Sequence, residues 1–385
     1  MIRVTNKADC CGCGACASVC PRRCISMSED REGFLYPHAD PKTCVNCGLC
    51  EKVCGVLHPY PERKPLQVLA AVNTDEKIRL ESSSGGVFLL LAEKIINEGG
   101  VVFGARFDQD WQVVIDYAET MEGVKAFMGS KYVQARVGNS YRNASKFLDE
   151  GRKVIFTGTP CEISGLHHFL GKPYDNLLSV DLICHGTPSP KVWRMYLDEV
   201  LDKDRTVKAI SFRNKSEGWK TYQVSVEYDD AEAPALNGNS WSNHYMKAFL
   251  SDLILRPSCH SCAAKCGRGK SDITLADFWG IWDEIPDFYD DKGTSMVFVN
   301  TSKGKEFMNF GKSMDYRTAD YDAALRYNPA HFVSVRTNHR REWFFTRLQN
   351  TDNVTRLIDK AIAPSLFDSC VKFATKVAKR VLKTK

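Results

Sequence analysis

Two stretches, CCGCGACASVCP at residues 10–21 and CVNCGLCEKVCG at residues 44–55, share one cysteine spacing and decide the architecture of the N-terminal region. In each stretch the cysteines are separated by two, two and three residues. This spacing lets three thiolates of one repeat hold an iron–sulfur cube while the fourth reaches across to the other cube. We therefore assign Cys10, Cys13, Cys16 and Cys54 to one 4Fe-4S cluster, and Cys44, Cys47, Cys50 and Cys20 to a second.

A pair of structural zinc sites is the alternative for this region, because such sites use two C-x-x-C pairs each. Two tandem copies of the longer spacing favour clusters over zinc. Cys11 and Cys24 are left without a ligand role, and we expect both to be buried thiols. Gly55 stands where a proline usually follows the last cysteine, which weakens the local turn but removes no ligand.

The uneven distribution of cysteine points to metal rather than disulfides. Ten of the 16 cysteines lie within the first 54 residues. A disulfide framework needs an oxidising compartment, yet the N-terminus lacks the apolar stretch of a secretory signal. No apolar run approaches the roughly 20 residues of a membrane span. We therefore expect a cytoplasmic chain whose cysteines bind metal.

Composition and charge narrow the class of protein further. The 385 residues are 43% apolar and 26% charged, which excludes collagen-like, low-complexity and wholly disordered chains. The net charge is +5, and residues 364–385 carry six cations and one acid, a net +5 by themselves. The remainder is therefore neutral, and we predict no nucleic-acid partner. The basic, amphipathic tail is typical of a helix that contacts a membrane surface, the parent domain or a partner protein.

The spacing of apolar runs predicts four regions. A cysteine-rich segment at 1–58 is followed by a proline-rich linker at 59–66, a body at 67–350 and a helical tail at 351–385. In the body we predict strands at 67–73, 101–107, 113–119, 153–160 and 177–184, and helices at 87–100, 139–151 and 189–201. The expected fold is an α+β ferredoxin-like two-cluster module followed by an α/β domain with a mixed sheet.

A second group of cysteines lies in the body, in GTPC (158–161), CHGTPSP (184–190) and CHSC (259–262). Cys161 and Cys184 each follow a predicted buried strand, and sites of α/β domains gather at that end of the strands. These cysteines are candidates for a third cluster, with Cys266 as a further candidate. The alternatives are inert buried thiols and a zinc clip made by Cys259, Cys262, Cys266 and His260.

Seven motifs then occur in a fixed order: SSSGG (82–86), GSKYVQA (129–135), FTGTPCEISGL (156–166), VDLICHGTPSPKVW (180–193), FRNKSEGW (212–219), LRPSCHSC (255–262) and SDITLADFWGIW (271–282). From about Lys7 to about Phe345 the chain resembles the coenzyme F-420 hydrogenase/dehydrogenase beta-subunit family, in its bacterial branch with an N-terminal ferredoxin. The resemblance implies an iron–sulfur flavoprotein with FAD beside a 4Fe-4S cluster. By position its ligands are Cys161, Cys184, Cys259 and Cys262, with Cys266 outside the family pattern.

Two glycine-containing turns are the candidate flavin contacts. Ser83, Ser84, Gly85 and Gly86 form a small-residue turn opening a helix, where backbone N–H groups can bind phosphate. Gly158, Thr159 and Pro160 would let the backbone approach the isoalloxazine ring next to Cys161. An ordinary helix cap is the alternative for the first turn.

Polar and aromatic side chains of the same motifs are candidates for binding or catalysis. Lys131, Tyr132, Arg213, Lys215 and Trp219 would hold an anionic substrate or stack on a ring, or else form surface ion pairs and core contacts. His185, Lys131 and Lys215 are the catalytic candidates, with His185 as a proton donor or a core histidine. We expect Asp277 and Trp279 in a buried strand and turn beside the site.

The expected function follows from these cofactors. Clusters move single electrons and a flavin converts them to a hydride, so we expect an oxidoreductase that relays electrons between the ferredoxin-type clusters and a soluble coenzyme or organic substrate. In archaeal members of the family that coenzyme is a deazaflavin. The expected partners are such a coenzyme, ferredoxin or a separate redox enzyme. The alternatives are a non-catalytic electron-transfer or docking subunit and a zinc-stabilised redox-sensing regulator.

Overall fold

The computed structural model of the protein describes residues 1–363. The predicted amphipathic tail helix lies almost wholly outside these residues. The described part of the predicted tail contains the helix Val354–Ile362. Within residues 1–363, none of the helices combines the length and apolar character needed to cross a lipid bilayer.

Residues 1–58, which we call the N-terminal module, repeat one structural unit. Helices α1 (Ala15–Val19) and α2 (Leu49–Lys52) each lie inside one cysteine repeat. Gly14 and Gly48 precede them with φ of 74° and 75°, a left-handed conformation that glycine adopts without strain. Strands β1 (Ile25–Glu29) and β2 (Leu35–Ala39) form an antiparallel hairpin between the repeats. The repeat in the sequence is therefore also a repeat in the backbone.

An eight-stranded mixed sheet forms the centre of the body, as the sequence predicts. Its strands in chain order are β3 (Gln67–Asn73), β4 (Val101–Phe107), β5 (Val113–Ala118), β6 (Val154–Thr157), β7 (Leu177–Leu182), β11 (Ile273–Asp277), β12 (Ser295–Val299) and β13 (Met314–Thr318). Their spatial order is β13-β3-β12-β11-β7-β6-β4-β5. All five strands predicted up to residue 184 are confirmed. Most of them contain apolar runs buried on both faces of the sheet, such as Val101 to Phe103, whereas the edge strand β5 exposes Tyr117.

The direction of the strands sets where a site can lie. Strands β4, β6, β7 and β11 run parallel to one another. Strand β12 is antiparallel to both β11 and β3, so β3 runs in the same direction as these four. The carboxyl ends of five strands therefore meet at one edge of the sheet, where α/β proteins bind their ligands.

Helices cover the sheet and include the three that the sequence predicts. They are α3 (Glu76–Glu81), α4 (Val87–Asn97), α5 (Met121–Lys125), α6 (Ser140–Asp149), α7 (Pro160–Leu170), α8 (Pro190–Val200), α9 (His244–Leu250), α10 (Ile281–Glu284), α11 (Ser302–Phe307), α12 (Tyr321–Leu325), α13 (Arg341–Leu348) and α14 (Val354–Ile362). Helix α8 begins as predicted, with Pro190 in its first turn and the Ser189 hydroxyl accepting the Val192 amide at 3.2 Å.

A second, three-stranded sheet is absent from the sequence prediction. It consists of β8 (Val207–Asn214), β9 (Gln223–Tyr228) and β10 (Ala235–Asn239), all antiparallel. One end of β8 is largely exposed and the other is buried. Such strands lack the continuous apolar runs that mark the central sheet. This small sheet brings Arg213 and Lys215 toward the edge where the five strands end.

Candidate metal centres and active site

The first cysteine group of the N-terminal module faces the body. Burial and the neighbouring Cys10 and Cys54 thiols raise the pKa of Cys16 to about 12. Cys13 lies against helix α7, where a Cβ added to Gly165 would be 3.0 Å from the Cys13 Sγ. Cys10, Cys16 and Cys54 are thus close neighbours, and Cys13 is the member of the group nearest the body.

The second group lines a pocket of about 20 Å³ in the module. Cys20, Cys44, Cys47 and Cys50 all belong to its wall, which is the grouping predicted from their spacing. Cys24 is buried as expected, but it also lines the pocket, with its Sγ 3.3 Å from that of Cys20. Cys24 is therefore a fifth thiol of the pocket wall, next to Cys20.

Four body cysteines meet in one cavity of about 70 Å³. Cys161, Cys184, Cys259 and Cys262 line it, and they come from α7, the end of β7 and a 3-10 turn at Pro257–Ser261. Cys266 lines the same cavity, with φ of 58°. The structure thus brings together all four residues that the family resemblance marks as ligands, together with the fifth candidate.

Local structure fixes each of these cysteines. Cys161 occupies the first turn of α7, which begins with a capping box formed by Thr159 and Glu162. The Lys265 Nζ donates to the Cys184 carbonyl oxygen at 2.6 Å. The Thr187 amide donates to the Cys259 Sγ at 3.3 Å. The sulfur atoms are therefore held by helix and turn geometry rather than by mobile loops.

The thiols of this cavity are poorly solvated. Burial and the nearby Cys259 raise the pKa of Cys184 well above its ordinary value. Burial also raises the pKa of Cys262, to about 11. Such thiols stay protonated without a metal, and metal binding must displace their protons. The Lys265 ammonium, itself buried, supplies nearby positive charge for thiolates.

The cavity is a better match to a cluster than to the zinc clip. His260 does not belong to its wall, because its Nδ1 faces the Val335 carbonyl oxygen at 3.3 Å. Among residues 1–363, no three cysteine, histidine or acidic side chains are placed around one point as ligands of a single metal ion. The site is therefore marked by four cysteines that line one cavity, and not by ligands already arranged around a metal position.

The N-terminal module completes the cavity. Cys11 and Cys13 belong to the same wall as the body cysteines. Contact with Cys13 and burial raise the pKa of Cys11, and contact with Cys161 opposes this shift. Cys11 is only partly buried, which corrects the expectation of a buried, idle thiol. It lies instead between one cysteine of the module and one of the body.

Arg256 joins the two parts and was not among the predicted site residues. Its side chain is fully buried and donates from Nε to the Cys10 carbonyl oxygen at 2.7 Å. Its Nη2 lies 3.6 Å from the Cys10 Sγ, and its Nη1 donates to Gln134 at 2.9 Å. The signal was present in the sequence, because Arg256 precedes Cys259 within the LRPSCHSC motif.

Asp181 was missed as well. It is buried, lines the cysteine cavity and accepts from the Thr274 hydroxyl at 2.5 Å. Burial raises the pKa of Asp181 to about 6. Asp181 lies in the middle of a predicted strand, and a residue at such a position is expected to belong to the core rather than to a site.

The Ser83–Gly86 turn follows β3 and α3 and opens helix α4. The Asn73 amide donates to the Gly85 carbonyl oxygen at 2.7 Å, and the Gly85 amide donates to Ser295 at 3.0 Å. A Cβ on Gly85 would collide with the Ala71 carbonyl oxygen. Gly86 caps α4 with φ of 82° and no side-chain hydrogen bond, so no side chain occupies the first-turn amides.

Two buried donors beside this turn have no hydrogen-bond partner among residues 1–363. Arg213 pairs with Asp277 at 2.7 Å and donates to the Ser83 carbonyl oxygen at 3.2 Å, but its buried Nε has no acceptor. The buried Asn73 Nδ2 has none either. Buried polar groups are nearly always paired. An acceptor-rich group, such as a phosphate, fits this place.

The two lysine candidates hold backbone in place. Lys215 Nζ donates to the carbonyl oxygens of Arg79, Ser84 and Lys292 at 2.7–2.9 Å. Lys131 Nζ donates to Ala126, Met128 and Gly129 at 2.7–3.2 Å. Burial lowers the pKa of each amine to about 7. Each lysine therefore uses all three of its ammonium N–H donors on backbone carbonyl oxygens. The main role of both lysines is to fix the loops that carry those carbonyls.

The second predicted flavin contact lies farther along the same sheet edge. Gly158–Pro160 follow β6, and three strands separate β6 from β3, which is about 19 Å at the usual strand spacing. The Thr159 amide donates to Glu162 at 2.8 Å and the Gly158 amide to Val180 at 3.1 Å. Of the three predicted residues, Pro160 alone lines the cysteine cavity.

A row of contacting side chains links the Ser83–Gly86 turn to the cysteine cavity. Arg213 donates from Nη1 to the Tyr132 hydroxyl at 3.2 Å, and the Tyr132 ring stacks on Phe249 at 4.9 Å. Phe249 in turn meets the edge of His185 at 5.2 Å. His185 lines the cavity and pairs through Nε2 with Asp252 at 2.7 Å. Trp219 and Trp279 stack at 4.7 Å, and the Trp219 Nε1 donates to Asp277 Oδ1 at 3.0 Å.

Comparison with known proteins places this arrangement in a family. Residues 151–322 match the C terminus of the coenzyme F420 hydrogenase/dehydrogenase beta subunit, and residues 9–56 match the 4Fe-4S dicluster domain. The chain thus carries the C-terminal domain of the coenzyme F420 hydrogenase/dehydrogenase beta subunit behind a 4Fe-4S dicluster domain. This confirms the resemblance inferred from the motifs. The matched segments contain every cysteine proposed as a ligand.

Three related proteins are distant from this chain in sequence. One polypeptide of the F(420)H(2) dehydrogenase of Methanosarcina mazei is 25% identical over 162 residues, which are 40% of this chain and 46% of that polypeptide. The match thus spans less than half of that relative's length. An uncharacterized protein of Methanocaldococcus jannaschii is 23% identical over 362 residues, covering 83% of this chain and 91% of that protein. A chain of the F420-reducing [NiFe] hydrogenase complex from Methanosarcina barkeri superposes with a TM-score of 0.45 and 19% identity, over 66% of this chain and 82% of that one.

Proposed function

We propose that this protein is an iron–sulfur flavoprotein oxidoreductase that relays electrons between the two clusters of its N-terminal module and a flavin. A third 4Fe-4S cluster, held by Cys161, Cys184, Cys259 and Cys262, stands between them. The observation that carries the proposal is the meeting of these four cysteines, from three separate segments, in one cavity. Soft thiolates in such number suit iron–sulfur clusters.

The position of Cys11 and Cys13 supports the relay. Both line the cavity of the body cysteines, and Cys13 also belongs to the first cysteine group of the module. The first module cluster and the body cluster would therefore be neighbours. The second module cluster, held by Cys20, Cys44, Cys47 and Cys50, would be the outer one.

The turn after β3 supports FAD. Clusters supply one-electron chemistry, and a bound flavin supplies the conversion between single electrons and a hydride. Ser83, Ser84, Gly85 and Gly86 would hold the diphosphate with the first-turn amides of α4. The unpaired Arg213 Nε and Asn73 Nδ2 would be satisfied there. Gly158, Thr159 and Pro160 would lie toward the ring, next to the cysteine cavity.

His185 is the catalytic candidate that the geometry favours. It lines the cavity, and Asp252 holds its Nε2. That contact fixes the ring and leaves Nδ1 as the nitrogen for proton exchange with a substrate. Lys131 and Lys215 would position the loops beside the flavin instead, because their donors are already used.

Cofactor content tests the proposal. On anaerobically purified protein we expect about twelve irons, matching sulfide and one FAD per chain. Cys161→Ser should lower iron by about four and leave the two module clusters intact. Cys266→Ser is the matched control and should keep all twelve. Retention of twelve irons in Cys161→Ser, or stoichiometric zinc in the wild type, would overturn the body cluster.

The iron and flavin contents also distinguish the proposed function from its alternative. A non-catalytic electron-transfer or docking subunit would contain iron but no flavin. When flavin is present, its reduction by a deazaflavin, by NADH and by reduced ferredoxin, tested one at a time, identifies the class of the physiological partner. Reduction by none of the three would contradict hydride exchange with these soluble coenzymes.

A further inference from the structure

The two cysteine groups of the N-terminal module differ in what covers them. The first is covered by the body, through Arg256 at Cys10 and helix α7 at Cys13. Among residues 1–363, those that line the pocket of the second all lie between Met1 and Cys50. Cys47 is exposed, and its neighbour Val45 is 59% exposed. The second group is therefore the one that an external partner can approach.

Five exposed cations surround this pocket. We call Arg3, Arg22, Arg23, Lys42 and Lys52 the basic collar. Arg22 lines the pocket itself, while Lys42 and Lys52 stand two residues from Cys44 and Cys50. Arg3 follows Ile2, whose amide donates to the Cys50 Sγ at 3.3 Å. None of the five forms an ion pair with any residue from 1 to 363.

The acids of the module offset the collar only in part, because three of them pair elsewhere. Asp30 pairs with Lys7, and Glu29 and Glu32 pair with Arg194 and Arg341 of the body. Glu51 lies near the pocket, 3.4 Å from the N-terminal ammonium. Asp40 also lies nearby and accepts the Lys42 amide at 2.9 Å. The positive excess of the module is therefore concentrated around the second group.

We propose that the basic collar is the docking surface of an acidic one-electron carrier protein. This rests on the proposed function, because it needs a cluster at Cys20, Cys44, Cys47 and Cys50. In each encounter the reduced carrier loses one electron and that cluster gains it. A small apolar centre at Val45 inside a charged rim suits the small, short-lived interfaces of redox partners. Opposite charge on the two proteins raises the association rate.

Charge reversal with a matched control tests the surface. The collar variant is R22E/R23E/K42E, and the control is K77E/K203E/K312E, which changes the net charge equally at exposed lysines elsewhere. Full-length proteins are mixed anaerobically with a reduced acidic plant-type ferredoxin, and cluster reduction is followed by stopped-flow absorbance. The second-order rate constant should fall about tenfold or more in the collar variant only, with a weaker dependence on salt.

Two further measurements distinguish loss of docking from loss of the clusters. Iron content and full reduction by dithionite must match the wild type, which shows that the clusters are present. Equal ferredoxin rates in the collar and control variants would then overturn the docking surface while leaving the proposed function intact. If the wild type holds no module clusters, the proposed function fails first. Loss of binding to anionic vesicles, with unchanged ferredoxin rates, would assign the collar to a membrane instead.

Discussion

At the scale of single residues, Arg256 is a fully buried guanidinium that has no carboxylate partner within residues 1–363. Its contacts are carbonyl oxygens, Gln134 and the Cys10 sulfur. A buried, unpaired charge is costly. The negative charge of cluster thiolates at Cys10 would compensate it, so Arg256 and the first cluster would stabilise each other.

Replacing Arg256 by a neutral residue should change the reduction potential of the first module cluster. Arg256→Gln removes a positive charge beside the Cys10 cluster, so that cluster becomes harder to reduce. We expect its midpoint potential to fall by about 60 mV, or 1.4 kcal/mol for one electron. Potentiometric titration followed by EPR measures it. Arg256→Lys keeps the charge and should shift the potential less. An equal fall in the outer module cluster would contradict the assignment.

Asp181 makes stability depend on pH. Its folded pKa of about 6 lies above its unfolded value near 3.8, so the folded state holds the proton more tightly. The contribution of Asp181 to stability is full below the unfolded pKa and is lost as pH rises through 6. From pH 5 to 7.5 the wild type should lose about 1 kcal/mol relative to Asp181→Asn.

Urea unfolding at both pH values measures this difference. The same substitution at the exposed Asp175 is the control and should follow the wild-type profile. Parallel profiles for Asp181→Asn and the wild type would show that Asp181 does not change its protonation in this range.

At the scale of elements, the turn between α3 and α4 is shaped by residues far away in the chain. Ser295 and Arg213 bind its backbone, and the Thr294 carbonyl oxygen accepts from the Ser84 hydroxyl at 2.8 Å. The strand β3 and the helix α4 were predictable, because their apolar runs and flanking glycines are local signals. The contacts with β12 and β8 were not, because no local pattern specifies which distant strand ends beside a turn.

A methyl group should dislodge this turn. Gly85→Ala places a Cβ against the Ala71 carbonyl oxygen, so the turn must move away from β3. We expect loss of most of the released FAD with iron unchanged. Gly99→Ala, at the other end of α4, controls for backbone strain: its φ of 72° disfavours alanine, but no atom lies within 4 Å of the added Cβ, so this variant should keep its FAD. Full flavin content in Gly85→Ala would exclude this turn as the phosphate site.

At the scale of the whole molecule, an ion pair between residues 309 positions apart joins the module to the body. Arg341 Nη2 lies 2.6 Å from Glu32 Oε2, with 11% and 9% of the two side chains exposed. Arg341 also donates to the Leu255 carbonyl oxygen at 2.8 Å, near Arg256. Arg142 donates to the carbonyl oxygens of Ala17 and Ser18.

Breaking the buried pair should weaken the whole chain. Glu32→Ala leaves the Arg341 charge buried and unpaired, which costs about 3–5 kcal/mol. Guanidinium unfolding of the holoprotein measures the loss of unfolding free energy. Asp230→Ala breaks the exposed pair with Arg205 and should leave that free energy within error. A loss no greater than that of the control would mean that the module is not held through Glu32.

The sequence predicted the ligand groups better than their surroundings. Cysteine spacing specified both module groups, and buried strands placed Cys161 and Cys184 at one edge of the sheet. The docking of the module was beyond prediction, because spacing within a segment carries no information about what packs against it. The roles of Cys11, Arg256 and Asp181 depend on that docking and on tertiary burial, and so only the folded structure revealed them.

The shared wall of the body cavity constrains how the protein is built in the cell. Ala8, Cys11, Cys13, Gly55 and Val56 of the module line one side of a cavity whose other wall residues belong to the body. Under the proposed function, iron would reach the body cysteines more readily before the module covers this side of the cavity. Biogenesis would therefore follow a fixed order, with the inner centre loaded first. Once closed, the module would serve as a shield that keeps dioxygen from the inner centre.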